Sequence, residues 1–338
     1  MKAAITLNDL GIASVLVEKE AELGGKVKNY DKTFPFFHSG KEIVRELESQ
    51  VEKAGLVEVR SGTTISHLTG VAPNFRIKLE NDDQEISASA IVMAAGFEPF
   101  DASLQEEYGY SVYQNVITAT EMERLLDPTG PTGGELKRPS DGRTARNVAI
   151  IFCVGSRSEK LGHNYCSRIC CSFSTKQAIE IKEKYPDSAV TCFYIDIRTY
   201  GRGFEEMYRW AQETGVTYIR GRVAECGAQP NGDITIKAED TFLGKPIQGD
   251  FDLVCLAHGM TPCADASRLA TMLNVKLADD GFFDCRDNDL YPFEATRNGV
   301  FLAGAVTGLK PIPDCITDGS AVASRIAAFL AGKTEERK

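Results

Sequence analysis

Several things are missing from this sequence, and each absence excludes something. No stretch of about 18 consecutive apolar residues occurs, so no transmembrane helix is expected. The start, Met1 to Asp9, lacks a basic region followed by an apolar stretch and a cleavage site, so it does not read as a signal peptide. A cytoplasmic location is the resulting expectation. Basic charge is not in excess: Lys plus Arg is 38 against 48 for Asp plus Glu, a net charge of -10. That argues against a protein that grips nucleic-acid phosphates. Histidine is scarce, with His38, His67, His163 and His258 far apart and no close pair for a helical zinc site. No C-x-x-C-x-x-C run marks a ferredoxin-type cluster segment.

What the chain does have is ten cysteines in 338 residues. In a reducing compartment, clustered cysteines are more often metal ligands or redox groups than disulfides.

Hydrophobic spacing gives a helix over the first ten residues, a short strand at 13–17 ending in Glu18, and an amphipathic helix at 41–54. Strands follow at 56–60, 63–67 and 74–79, then a buried run at 90–95 closed by Gly96. Residues 127–146 are rich in Pro, Gly and charge and read as a linker. A second strand-loop-helix unit starts at 147–152, with its helix at 168–184 and further strands at 189–194, 217–220, 234–238 and 251–257. A last strand at 299–303 precedes a Gly/Pro loop and a helix at 319–331. The plan of strand, helix, small antiparallel insert and Gly-ended strand occurs twice. The expectation is an α/β protein of two Rossmann-like, three-layer dinucleotide-binding domains. Residues 1–125 and 285–338 form the first domain, 126–146 the linker and 147–284 the second domain.

An acid ending the second strand of a Rossmann unit binds ribose hydroxyls, and Glu18 stands there. The glycine fingerprint belongs about 20 residues upstream, so the first strand and Gly-rich loop are expected to be missing. Read alone, Glu18 equally well just ends a surface strand. Gly96 and Gly304 close apolar strands at the carboxyl ends where ligands bind. Each alone is compatible with tight packing; together, in this order, they point to a flavin site.

The sharpest signal is Cys153, Cys166, Cys170 and Cys171 within FCVGSRSEKLGHNYCSRICC. A [4Fe-4S] cluster, a redox disulfide (Cys170 with Cys171, or Cys166 with Cys170), zinc, and four unconnected buried thiols are all compatible with the spacing. Arg157, Arg168 and the helix N-terminus would favour thiolates. Cys192 and Cys255 sit in apolar strands and read as core; Cys315, in a Pro-Asp-Cys loop, stands apart from the scattered remainder. A NAD site would want a Gly-rich turn after 150–152, but only Gly155 is present, in Cys-Val-Gly-Ser-Arg. Ordinary NAD(P)H binding is therefore not expected, although Asp196 ends the next strand.

These residues carry a resemblance. LVEKEAELGG (16–25), DKTFP (31–35), AAGFEPFD (94–101), GPTGGELKRPSDG (130–142), CVGSR (153–157), YCSRICC (165–171) and FLAGAVTGLKPIPD (301–314) resemble the A-type subunits of heterodisulfide reductase and their relatives, flavin and iron-sulfur proteins of anaerobic electron transfer. The resemblance implies a thioredoxin-reductase-like core with FAD contacts at Glu18, Lys19, Gly24, Gly25, Ala95, Gly96, Gly304 and Ala305. It also implies that Cys153, Cys166, Cys170 and Cys171 match cluster-binding cysteines. Aligned on LVEKE, Met1 falls just after the third Gly of the family's flavin fingerprint, so the expectation is an internal Met taken as the start or a fragment, and, without ferredoxin-type clusters, a short form with one cluster.

The expected function is therefore a flavin- and [4Fe-4S]-dependent electron-transfer subunit. Its expected partners are other subunits of a heterodisulfide reductase-like complex, with a homodimer as a further option and no nucleic acid or direct membrane insertion. The alternatives are an NAD(P)H-dependent disulfide oxidoreductase using Cys170 and Cys171, and a non-catalytic zinc or thiol scaffold. No residue is named as a general base.

Overall fold

The computed structural model describes residues 1–335 apart from 81 and 83, and no side chains beyond 332. The chain forms two compact units. One comprises Met1–Lys28, Lys41–Glu98 and Thr261–Lys338; the other comprises Asn29–Gly40 and Pro99–Met260.

The second unit is organised by Asn147–Val154. Its sequence NVAIIFCV has no polar residue after Asn147, and all seven residues from Val148 on are buried. A strand apolar on both faces belongs in the middle of a parallel sheet. It lies at the centre of a five-stranded parallel sheet, between Ala189–Tyr194 and Leu253–His258, with Thr217–Arg220 and Val116–Thr118 at the edges. One face packs against helices Ala119–Leu126, Cys170–Lys184 and Phe204–Glu213. The other packs against an antiparallel sheet of Val223–Ala228, Ile234–Asp240 and Lys245–Phe251. This is the expected three-layer Rossmann-like arrangement.

The first unit has the same parts in separate sheets. Ser14–Val17 pairs in parallel with Val57–Arg60. Val300–Leu302 pairs in parallel with Ile91–Met93 and belongs to a four-stranded sheet with Cys285–Asp287 and Tyr291–Ala295. The insert Ile65–Val71, Asn74–Leu79 and Glu85–Ala88 is antiparallel. Helices Lys2–Asp9 and Ile312–Glu335 pack closely at Gly319, where a Cβ would lie 3.1 Å from the Ala3 nitrogen.

The boundaries differ from the expected ones. The stretch 127–146 is not a linker between units; it is a loop pinned inside the second. Leu136 and Ala145 are fully buried, and the buried Arg138 donates to Asp233 at 2.7 Å. Its Pro, Gly and charge give it the look of a solvated segment, but the arginine carries its own partner inside. Residues 29–40 also join the second unit, because Phe37 packs on Trp210 and Phe34 on Phe173. Residues 261–284 belong to the first unit, through the helix Ala266–Leu273 and its core. The last helix begins at Ile312 rather than near Gly319, so Gly319 lies inside it and offers no helix N-terminus.

Candidate functional site

The cysteines sit at the carboxyl end of the central strand, where open α/β sheets bind ligands. Cys153 is the penultimate residue of that strand, buried, with φ +62°. Arg157 and Arg168, in the loop that follows, also hold left-handed φ values of +54° and +58°. Three non-glycine residues in that region of backbone space, within 16 positions, mark a loop whose conformation is imposed by its surroundings, as at binding sites.

Cys166 is half-buried, and its sulfur accepts the Arg168 N–H at 3.3 Å. Cys170 and Cys171 open the helix Cys170–Lys184 and are both buried. All four thiols act on one another. Burial pushes Cys153 up to about 11, with Cys171 and Cys166 adding to it and Arg157 opposing. Cys170 is pushed up by its hydrogen bond with Cys171, then by burial and the charges of the other three. Cys171 is held below its ordinary value by that same bond, assisted by the Arg198 N–H and the Arg198 and Arg157 charges. The structure thus brings together all four cysteines singled out from the spacing. Of the two arginines expected there, Arg157 serves the thiols with its side chain, whereas Arg168 lays its guanidinium over Tyr200 at 5.3 Å.

All ten cysteines are free thiols. Among the described residues, no three Cys, His, Asp or Glu side chains are gathered as one metal ion requires. A single zinc ion needs four ligands within about 2.3 Å of one point. A four-iron cluster attaches each thiolate to a different iron, so its ligands stand farther apart. Three buried thiols and the half-buried Cys166, not gathered as one ion requires, suit such a cluster better than zinc.

The turn beyond the strand is closed to a nucleotide. Gly155 has φ +75°, and a Cβ there would lie 2.1 Å from the Phe100 ring. Its N–H, which a phosphate would want, is taken by Gln105 Oε1 at 2.6 Å. Asp196 holds Arg157 at 2.8 Å and Arg220 at 3.5 Å. This carboxylate, whose strand-end position would suit a ribose, is engaged with arginines instead.

A buried polar network lies farther along the same helix. Lys176 is fully buried and pairs with Glu123, and with Glu180 at 2.8 Å. Gln177 donates to Ala119 O and Glu123. Glu123 Oε1 and Gln177 Oε1 are buried without a hydrogen-bond partner. Sequence reasoning misses this network, because Lys176 and Glu180, four apart, look like a solvated helix pair.

In the first unit, Glu18 follows the strand Ser14–Val17, and its charge acts on Met1 at the head of the first helix. A helix N-terminus beside a strand-end acid suits a dinucleotide, pyrophosphate at the helix and ribose at the acid. The Ala303 N–H donates to Met93 O, so the Ala95–Gly96 and Gly304–Ala305 turns leave neighbouring strand ends. Gly25 and Gly96 have positive φ and nothing within 4 Å of an added Cβ, so their backbones are open to approach. Gly304 donates to Asp318, which also holds Lys310 at 2.7 Å. The other expected contacts differ in their surroundings. A Cβ on Gly24 would meet Val44 at 2.5 Å, so Gly24 serves helix packing. Ala305 is buried, Ala95 is exposed, and Lys19 is exposed with its charge acting on Cys263. Cys315, half-buried, lies 3.7 Å from where a Gly304 Cβ would be.

Curated proteins of one kind resemble the chain over most of its length. The second iron-sulfur A-type subunit of CoB–CoM heterodisulfide reductase from Methanopyrus kandleri is 32% identical over 98% of the chain and 63% of its own length. The chain is a homologue of the heterodisulfide reductase A-type subunits. The corresponding subunit of the H(2):CoB–CoM heterodisulfide,ferredoxin reductase from Methanothermobacter marburgensis is 31% identical over 97% of the chain and 62% of its own length. That of the H(2)/formate-linked enzyme from Methanococcus maripaludis reaches 42% over 74% of the chain and 39% of its own length. This homologue thus spans less than two thirds of the curated proteins it matches. No family profile matches it. Its fold is that of thioredoxin reductases: the T. acidophilum enzyme superposes with TM-score 0.62 over 98% of this chain and 94% of its own at 17% identity, and the Lactococcus lactis enzyme with 0.64 over 98% and 95% at 16%. Among the described residues no helix is long and apolar enough to cross a membrane.

Proposed function

We propose that the chain is an electron-transfer oxidoreductase subunit holding FAD in the first unit and one [4Fe-4S] cluster in the second. The observation that carries this reading is the set of buried Cys153, Cys170 and Cys171 with half-buried Cys166 at the carboxyl end of the central strand. When bound, FAD exchanges electrons in pairs and the cluster one at a time, so together they join two-electron to one-electron chemistry. The four thiols would supply the cluster ligands, and burial would keep water from Cys153, Cys170 and Cys171. The Cys170–Lys184 helix N-terminus and the Arg198 N–H favour the thiolate form of Cys171. Glu18 would take the FAD ribose, the first helix's N-terminus the pyrophosphate, and the open Gly25 and Gly96 backbones would let the cofactor approach closely.

Its partners would be the other subunits of a heterodisulfide reductase-like complex, as the relatives' names suggest. Ten free thiols suit a reducing compartment, and the cytoplasm is proposed as the location. The NAD(P)H-dependent reading is disfavoured by Phe100 and Gln105, which occupy the turn a pyrophosphate would need. The test is anaerobic reconstitution with iron and sulfide, followed by EPR on reduction. A cluster signal in the wild type that is absent from Cys170→Ser supports the reading. Wild-type protein without a signal, but with zinc bound, would overturn it.

A further inference from the structure

Arg157 is held in place at several points, and one of its donors is left over. Its N–H donates to Tyr165 O at 2.9 Å, and its carbonyl accepts from Arg222 at 3.4 Å. Both contacts fix a backbone already in the left-handed region at φ +54°. On the side chain, Nη2 donates to Asp196 Oδ2 at 2.8 Å. Asp196 is steadied in turn by Arg220 at 3.5 Å. Nη1 is buried and has no hydrogen-bond partner of full geometry. Leaving a charged donor buried and unused is costly, so such an atom calls for an acceptor.

The guanidinium acts on the Cys153 thiol, chiefly through its charge. A neutral thiol is a poor acceptor, whereas a cluster-bound thiolate is a good one. Hydrogen bonds to the sulfurs and the net charge around a cluster set its reduction potential.

This inference rests on the cluster reading above and adds a residue to it. We propose that Arg157 tunes the cluster: its spare Nη1 donates to the cluster-bound Cys153 sulfur, and the bond and the positive charge together favour the reduced, more negative cluster. Asp196 is then a positioning residue, since it holds the other arm of the guanidinium and thereby aims Nη1. Arg220 pairs with the same carboxylate at 3.5 Å, so it supplies a control of equal charge.

The experiment uses the full chain, loaded anaerobically with iron and sulfide and assayed for both. The cluster is then titrated against redox mediators and followed by EPR. In Arg157→Gln, the reduced-to-oxidised ratio at a fixed potential is expected to fall at least tenfold, a midpoint about 59 mV lower for one electron. Arg220→Gln is expected to move the ratio by less than threefold. A wild-type midpoint in loaded Arg157→Gln, or a shift no larger than that of Arg220→Gln, overturns the inference and leaves the cluster reading intact. Wild-type protein that takes up no iron overturns both, and this is seen before any titration begins. Should Arg157→Gln alone refuse iron, Arg157→Lys is titrated instead. Lysine keeps the charge but lacks the fork that spans Asp196 and the sulfur, so a ratio at least threefold lower is expected and an unchanged one contradicts the proposal.

Discussion

Beyond the strand Asn147–Val154, Gly155 is covered by the Phe100 ring, its N–H is spent on Gln105, and buried thiols occupy the space that follows. Beyond the strand Ile91–Met93, Gly96 stands open with nothing within 4 Å of an added Cβ. Both turns follow strands of α/β units, and both glycines have positive φ, +75° and +72°. In one the glycine lets the chain pack; in the other its backbone stays open. A Rossmann-like unit can therefore keep its architecture while the turn at the strand's carboxyl end changes from open backbone to a packed surrounding. The residues around the glycine, rather than the glycine itself, decide which.

The comparison breaks most directly if the two sites prove interdependent. Replacing any one of Cys153, Cys166, Cys170 or Cys171 by Ser is expected to take iron from about four per chain to near zero, while flavin absorbance stays. Parallel loss of flavin would show that the sites do not belong to separate units. The second largest effect is on the packed side. Lys176→Met would leave Glu123 and Glu180 buried without their cation and cost about 3–5 kcal/mol in urea unfolding. Burial pulls the Lys176 pKa down, but Glu123 and Glu180 outweigh it and the net shift is upward. A raised lysine contributes its stability fully below the unfolded value of about 10.4 and loses it as pH rises through the folded value. The wild type should therefore lose stability relative to Lys176→Met at strongly alkaline pH.

Two glycine substitutions sharpen the contrast. Gly155→Ala is expected to cost about 1–3 kcal/mol from the collision with Phe100, on top of about 1–2 kcal/mol for the left-handed backbone. Gly96→Ala carries only the latter, because its surroundings are open. Equal shifts in thermal melts would remove the distinction. The smallest expected effect is that of Glu18→Gln, which should weaken flavin binding about tenfold, or about 1.4 kcal/mol, with iron content unchanged.

Much of this is legible in the sequence because the signals are local. The apolar run at 147–154 and the helix at 170–184 follow from hydrophobic pattern, and the cysteine spacing singles out the four thiols that the fold brings together. The helix Ala119–Leu126 is not among the expected elements, although the capping box of Thr118 and Glu121 marks its start. The unit boundaries are not legible, because they depend on contacts far apart in sequence. Arg138 meets Asp233 across 95 positions and turns an apparent linker into a pinned loop. Asp196 shows the same limit: its place at a strand end is readable, its capture by Arg157 is not. Among the expected flavin contacts, Gly24 departs from its expected role, since only the fold reveals Val44 against it.

The proposed function turns on whether Cys153, Cys166, Cys170 and Cys171, three of them buried, hold an iron-sulfur cluster. The most direct test is the iron and acid-labile sulfide content of anaerobically purified protein. The account predicts about four of each per chain, lost together in Cys170→Ser. Stoichiometric zinc, or four thiols titratable in iron-free protein, would contradict it.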